Sequence, residues 1–291
     1  MGADEAWVRT LLPDGVAVAR VETLAGGWSS LVRRLVLDDG TGLVLRSVRR
    51  PELADRAADM LRREADMLRA LARSDIPVPR LLGVDPLATH CTYPSLLMSE
   101  ISGQVCVDVE GAAARVTAMA TQLAAIHRVA LRPPLYTQWA WPGQINYPGG
   151  TTRRAMWQHA EHLITRDPPA FTGTFLHRDF HLGNVLFGSS GRIEGVIDWT
   201  DSSWGPAELD IGHCAAMLAL LYDDALAESF VDAFERTEHH LYWRLLSALA
   251  LAPDAANAGG PWRALGRTDR TPAVLRDALE RHLEYLLDTF E

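Results

Sequence analysis

Asp179, Asn184 and Asp198 are the residues whose types and spacing suit chemistry. They lie in Phe175-Leu-His-Arg-Asp-Phe-His-Leu-Gly-Asn-Val-Leu-Phe187 and Gly195-Val-Ile-Asp-Trp199, with Asp179 five residues before Asn184 and Asp198 fourteen after it. A carboxylate beside a substrate hydroxyl can accept its proton and aim its oxygen at a γ-phosphate. An amide oxygen and a second carboxylate are hard ligands of the kind Mg²⁺ takes alongside substrate phosphates. A single Asp or Asn in a loop is more often a turn cap, so it is the combination that points to metal-assisted phosphoryl transfer.

The elements around these residues must position them. Both motif segments are flanked by apolar, strand-like runs, and Gly188-Ser-Ser-Gly191 between them reads as a turn, so a hairpin would carry the three polar side chains to one edge. Upstream, Val16–Val21, Leu31–Leu37 and Leu43–Val48 read as three short strands, the second and third joined by Asp38-Asp-Gly-Thr-Gly42. Leu53, Ala57, Met60, Leu61, Ala65, Leu68 and Leu71 recur at helical spacing, which predicts an amphipathic helix over 52–72, stopped by Pro77 and Pro79. A strand over Ser95–Ile101 leads to Ser102-Gly103, and beyond it the composition turns helical, beginning with Ala112–Arg128 and a helix near 152–165. Strands, one helix, more strand and then a helical half form an α+β order with two lobes, 1–101 and 102–291.

The chain has 291 residues, 48% apolar and 22% charged, which suits a globular protein of one large domain or two lobes. Its net charge of −9 argues against a nucleic-acid partner and suits a cationic small substrate. Ten acidic residues from Asp198 to Glu238 stand against Arg236 alone, read either as solvated helix faces or as an attraction for such a substrate. No apolar run reaches the roughly 18 residues of a membrane span. The start, Met1-Gly-Ala-Asp-Glu-Ala6, lacks the basic and apolar regions of a signal peptide, so the expectation is a cytoplasmic protein without membrane partners. Cys91, Cys106 and Cys214 form no CxxC pair and read as reduced thiols.

The sequence contains no lysine. That excludes a Walker-type phosphate loop, which depends on one. It also means that a strand-borne cation that stays charged at a phosphate must here be arginine. On Leu43–Val48, side chains 44, 46 and 48 share a face, and Arg46 is the only cation among them. Arginine can bind phosphate through its planar fork. Glu64, central in the helix over 52–72, is the candidate ion-pair partner. His177, Asp179 and His181 also have metal-ligand chemistry, but a zinc hydrolase would leave Asn184 and Asp198 without a role.

These motifs resemble the aminoglycoside phosphotransferase family of the protein-kinase-like fold, which also holds choline, homoserine and macrolide kinases. The resemblance rests on His177, Asp179 and Asn184 as His-x-Asp-x-x-x-x-Asn, on Ile197-Asp198, and on the hinge-like Leu97-Met-Ser-Glu100, and runs from about Val16 to about Phe234. It implies a small β-rich N-lobe with one helix and a larger, mostly helical C-lobe. It further implies Asp179 as catalytic base, with Asn184 and Asp198 holding Mg²⁺. ATP or GTP would be positioned by Gly27, Ser29 and Ser30, by Arg46 with Glu64, by Met98 beside the base, and by the backbone at Ser99 and Ile101. Asp210 matches an acidic position expected to support the catalytic loop, whereas Trp204-Gly-Pro206 departs from the family's Gly-Asp-Pro. The implied activity is phosphorylation of a small-molecule hydroxyl, on an aminoglycoside or other antibiotic. A metabolite kinase and a non-catalytic nucleotide-binding regulator are the alternatives. Tyr136, Trp139, Trp141, Tyr147 and Trp157 mark an aromatic insert that reads equally as substrate wall and as packing.

Overall fold

The leucine- and valine-rich runs between 30 and 48 pair as neighbouring antiparallel strands that bury Leu35, Leu37, Leu43 and Leu45. The computed structural model describes residues 2–24, 30–164, 168–253 and 255–290. The chain divides into two units, 1–103 with 194–201, and 104–193 with 202–291. Segment 194–201, which a break at 101/102 places with the helical half, thus packs with the strands.

The first unit opens with helix α1 (Ala3–Leu11), followed by strands β1 (Val18–Thr23), β2 (Ser30–Leu37) and β3 (Gly42–Val48), helix α2 (Ala54–Leu71) and strands β4 (Leu81–Asp85) and β5 (Ser95–Ser99). The five strands form one antiparallel sheet in the order β1-β2-β3-β5-β4. Trp7 and Val8 of α1 join Leu35, Leu37, Leu43, Leu45 and Leu97 in its core. Neither α1 nor β4 stands out in the sequence. Gly83, inside β4, lies where a Cβ would come within 2.5 Å of Leu11 on α1, so the two elements specify each other by contact. Helix α2 starts after a 3-10 turn at Pro51–Leu53 and buries Ala57, Leu61, Ala65, Leu68 and Leu71 on one face. Glu64 is buried with them. Within the same unit the Val196 N–H donates to the Pro77 carbonyl (2.8 Å), and Gly195 leaves room for Ile101, whose Cδ1 would be 2.4 Å from a Cβ there.

The second unit contains helices α3 (Ala112–His127) and α4 (Arg154–Leu163) and strands β6 (Gly173–Leu176) and β7 (Val185–Phe187). Strand β8 (Ile193–Val196) leads into the 194–201 segment. Strand β9 (Ser203–Pro206) and helices α5 (Glu208–Leu221), α6 (Asp224–Val231), α7 (His240–Ala250), α8 (Ala255–Ala264) and α9 (Pro272–Phe290) complete it. β6 pairs antiparallel with β9, Phe175 opposite Trp204. The expected turn closes through Gly191 N–H to the Gly188 carbonyl, with Gly191 at φ +77°. α5 is apolar on all sides and buried along nearly its whole length, as a central helix must be. Among the described residues no helix is long and apolar enough to cross a membrane.

α5 reaches α7 through Gly212, where a Cβ would lie 2.9 Å from both the Arg244 Cα and the Ser247 Oγ. Backbone cannot yield as a flexible side chain can. Gly212→Ala should therefore destabilise the protein by about 1–3 kcal/mol, measured as a lower urea midpoint at unchanged slope.

Candidate active site

Arg46 sits in the middle of the sheet, with Val32 opposite it on β2 and Leu96 on β5, which is why its side chain is only 6% exposed. A buried guanidinium needs opposite charge and filled donors. Its Nη1 donates to Glu64 Oε2 (2.7 Å), Asp198 Oδ1 (2.9 Å) and Thr200 Oγ1 (3.4 Å), and its Nε donates to Ser30 Oγ (3.0 Å). Thr200 Oγ1 also donates to Asp198 Oδ1 at 2.9 Å. Burial by itself would lower the Arg46 pKa, but the charges of Asp198 and Glu64 outweigh it and raise it. Burial pushes the Glu64 carboxyl up, against the pull of Arg46 and with the help of Asp198. Asp198 adopts φ +63°, a left-handed backbone that Asp tolerates better than most residues.

In the second unit the loop after β6 is fastened by Asp210 at the start of α5. The N–H groups of His177 and Arg178 donate to Asp210 Oδ2 (2.9 Å) and Oδ1 (2.7 Å), and His127 Nε2 lies 3.1 Å from Oδ2. This clamp holds Arg178 at φ +75°, a conformation that persists only where its surroundings dictate it. Burial would raise the Asp210 pKa, but hydrogen bonds and charge from His127 and His177 win and lower it. Asp210 therefore supports the loop as expected.

Asp179, 32% exposed at its side chain, follows directly. Asn184 Nδ2 donates to the Asp179 carbonyl (2.8 Å) and to its Oδ2 (3.0 Å), while His181 Nε2 and His213 Nε2 lie 3.5 and 3.2 Å from Oδ1. Burial would raise the Asp179 pKa, yet His181 and His213 hold it well below the usual carboxylate range. The side chain is thereby held as the ionised carboxylate. Asn184 spends its amide nitrogen on Asp179, which leaves its amide oxygen as a hard ligand. Asp198, in the first unit, meets Arg46 and Thr200 with Oδ1, which leaves Oδ2. Both donor sets fit Mg²⁺. His177 instead turns Nδ1 to the Asp179 N–H (3.3 Å), and no cluster of three His, Cys, Asp or Glu among the described residues is arranged to hold a metal.

Of the nucleotide candidates, Gly27 and Ser29 lie outside the described residues, while Ser30 meets Arg46. Met98 is buried on β5 between Val44 and Leu81. The Ser99 N–H is spent on the Arg80 carbonyl (2.9 Å), so that amide is not open to a bound base. Ile101 packs on Gly195.

Residues 20–249 match the profile described as the phosphotransferase enzyme family, APH. The chain belongs to this family. Comparison with curated protein sequences yields no match. Among solved structures, the aminoglycoside phosphotransferase APH(4)-Ia is similar at TM-score 0.66 and 18% identity, over 97% of this chain and 98% of that one. A thermostable mutant of it, in ternary complex with AMP-PNP and hygromycin B, gives 0.65 and 19% over 96% and 97%. Amicoumacin kinase hAmiN, in complex with AMP-PNP, Ca²⁺ and Ami, gives 0.60 and 14% over 92% and 88%. These likenesses show the fold: the APH-family chain is an α+β protein of the protein-kinase-like fold, with an antiparallel sheet in one lobe and a helical second lobe, and by family it is a phosphotransferase.

The acidic run of this APH-family chain is largely committed to its own architecture. Glu208 meets Thr237, Asp210 holds the loop, Asp223 caps α6, Asp224 meets His282, Glu228 meets Arg244, and Asp232 meets Arg236. The aromatic insert divides. Trp157 is fully buried with Tyr147 stacked on it at 5.8 Å, and Tyr136 packs edge-on to Trp243, whereas Trp139 and Trp141 stay 40% and 53% exposed. Sequence reasoning missed His213, which stands 34 positions after Asp179 in an apolar helix with no local motif to mark it.

Arg46→Ala would strand a buried Glu64 and should cost about 3–5 kcal/mol in urea melts, with Glu64→Gln in the same background restoring part of it. Because the folded Asp210 pKa is depressed, its contribution is complete above the ordinary value of 3.8 and is lost as pH falls through the lower folded value. Asp210→Asn should cost about 2–3 kcal/mol near neutral pH. The gap to the parent protein should narrow in melts at about pH 3.

Proposed function

We propose that this APH-family protein transfers the γ-phosphoryl group of ATP to a hydroxyl group of a small molecule. The observation that carries the reading is Asp179, an ionised carboxylate whose Oδ2 accepts from Asn184 and whose Oδ1 faces His213, on a loop that Asp210 clamps. In this reaction the acceptor hydroxyl gives its proton to Asp179, its oxygen bonds to the γ-phosphorus, and the bond from that phosphorus to the ADP oxygen breaks. Asn184 and Asp198 are the proposed Mg²⁺-holding residues, and the bound ion would neutralise charge on the transferring phosphate. Arg46 takes the place of the kinase lysine. Its planar fork suits bidentate phosphate binding, and the ion pair with Glu64 fixes where it stands. Ser30, with Gly27 and Ser29, is the proposed phosphate loop. Met98, the Ser99 carbonyl and Ile101 are the proposed base contacts. GTP is the alternative donor.

An antibiotic is the proposed acceptor, supported by hygromycin B and Ami in the complexes of similar fold. The internal pairing of the 208–232 acids removes one argument for a cationic acceptor, which keeps a metabolite hydroxyl as the second reading. ADP release from MgATP and MgGTP, measured across aminoglycosides, other antibiotics, choline, homoserine and sugars, identifies the acceptor. Asp179→Asn should lower kcat by about 10²-fold or more while the thermal melt stays intact. Undiminished phosphorylation by that variant would reject Asp179 as the base, and nucleotide binding with no transfer to any acceptor would favour a regulator.

A further inference from the structure

His213 lowers the Asp179 pKa but has so far been given no role at the substrate, nucleotide or metal, and its position asks for a reason. It is 4% exposed within the apolar helix α5, and its Nδ1 has no hydrogen-bond partner. Buried polar atoms in native proteins are normally satisfied, and an exception calls for a function. The ring is aimed at the proposed base: Nε2 stands 3.2 Å from Asp179 Oδ1, close but off the line of a hydrogen bond. Catalytic hydrogen bonds are often misaligned before substrate binds.

Packing keeps the ring there. Trp139 meets it edge-on at 5.6 Å between centroids, and the Arg178 guanidinium lies 4.3 Å over the Trp139 ring. Beside them is a cavity of about 10 Å³ lined by Gln138, Trp139, Arg178, His213 and Ser247, room for one water at most. The imidazole therefore cannot swing away from Asp179. The other titratable groups near it are His181, at 6.1 Å between rings, and Arg178.

We infer that His213 is a positioning residue, whose Nε2–H aligns on Asp179 Oδ1 in the reactive complex while Asn184 holds Oδ2. A carboxylate accepts about four hydrogen bonds, so one lone pair stays open for the acceptor proton. Trp139, half in solvent on the aromatic insert, is the wedge that keeps His213 in place. The inference rests on Asp179 being the base.

The test compares His213→Phe, which keeps an aromatic ring against Trp139 but has no donor, with His213→Gln, which keeps a donor. His213→Met serves as the donor-free variant if Phe does not fit. ADP release from MgATP is followed with hygromycin B and, separately, with water as the sole acceptor, so a rate is measured in either case. The donor-free variant should lose about tenfold or more in kcat, with KM for ATP and the melting temperature nearly unchanged, and His213→Gln should recover most of that loss. Equal rates in the donor-free and Gln variants would overturn the inference. Loss in Asp179→Asn with none in the donor-free variant would overturn it alone. No loss in Asp179→Asn would overturn the base assignment instead.

Discussion

A buried positive charge in a chain without lysine is the constraint on which the first unit depends. Arg46 lies inside a five-stranded sheet, where an uncompensated guanidinium is not tolerable. The compensation comes from three directions: Glu64 on α2, Asp198 and Thr200 on the 194–201 segment, and Ser30 at the start of β2. One side chain thereby ties helix, sheet and a segment from 152 residues further along the sequence. The same contacts set the electrostatics. Glu64 is pushed up by burial, and Arg46 stays charged because two carboxylates face it.

The second unit uses a buried negative charge in a parallel way. Asp210 accepts two consecutive backbone N–H groups and faces His127, and this holds Arg178 in a left-handed conformation. The strain at Arg178 is maintained because Asp210 sits on α5, a helix fixed by close contact with α7 at Gly212. Loop geometry around Asp179 thus derives from helix packing in the core. A cluster of charges in each unit converts packing into oriented oxygen atoms.

Much of this architecture is legible in the residue pattern. Strand β3 and helices α2 and α3 fall within a few residues of the expected ranges, because periodicity of two or of about 3.6 registers which face is buried. Helix α1 and strands β4 and β9 are not legible in that way. β9 is four residues long, too short for a pattern, and α1 and β4 are specified largely by each other through Trp7, Leu11 and Gly83. The acidic run reads as solvated faces or as a lure for cations, whereas six of its members meet partners within the second unit or cap a helix there. Sequence spacing registers local faces and says little about partners arriving from other helices.

The sequence by itself marked the set proposed for the chemistry, Asp179, Asn184 and Asp198, since their spacing is confined to one short stretch of chain. It also determined that the cation of β3 is arginine, since no lysine exists. Only the tertiary structure decided that Glu64 is buried against Arg46, that Asp210 grips the 177–178 backbone, and that His213 faces Asp179. Those relations join residues 18, 32 and 34 positions apart. Contacts at that separation follow from how helices and sheet pack, because burial energy depends on surface removed from water and not on position along the chain.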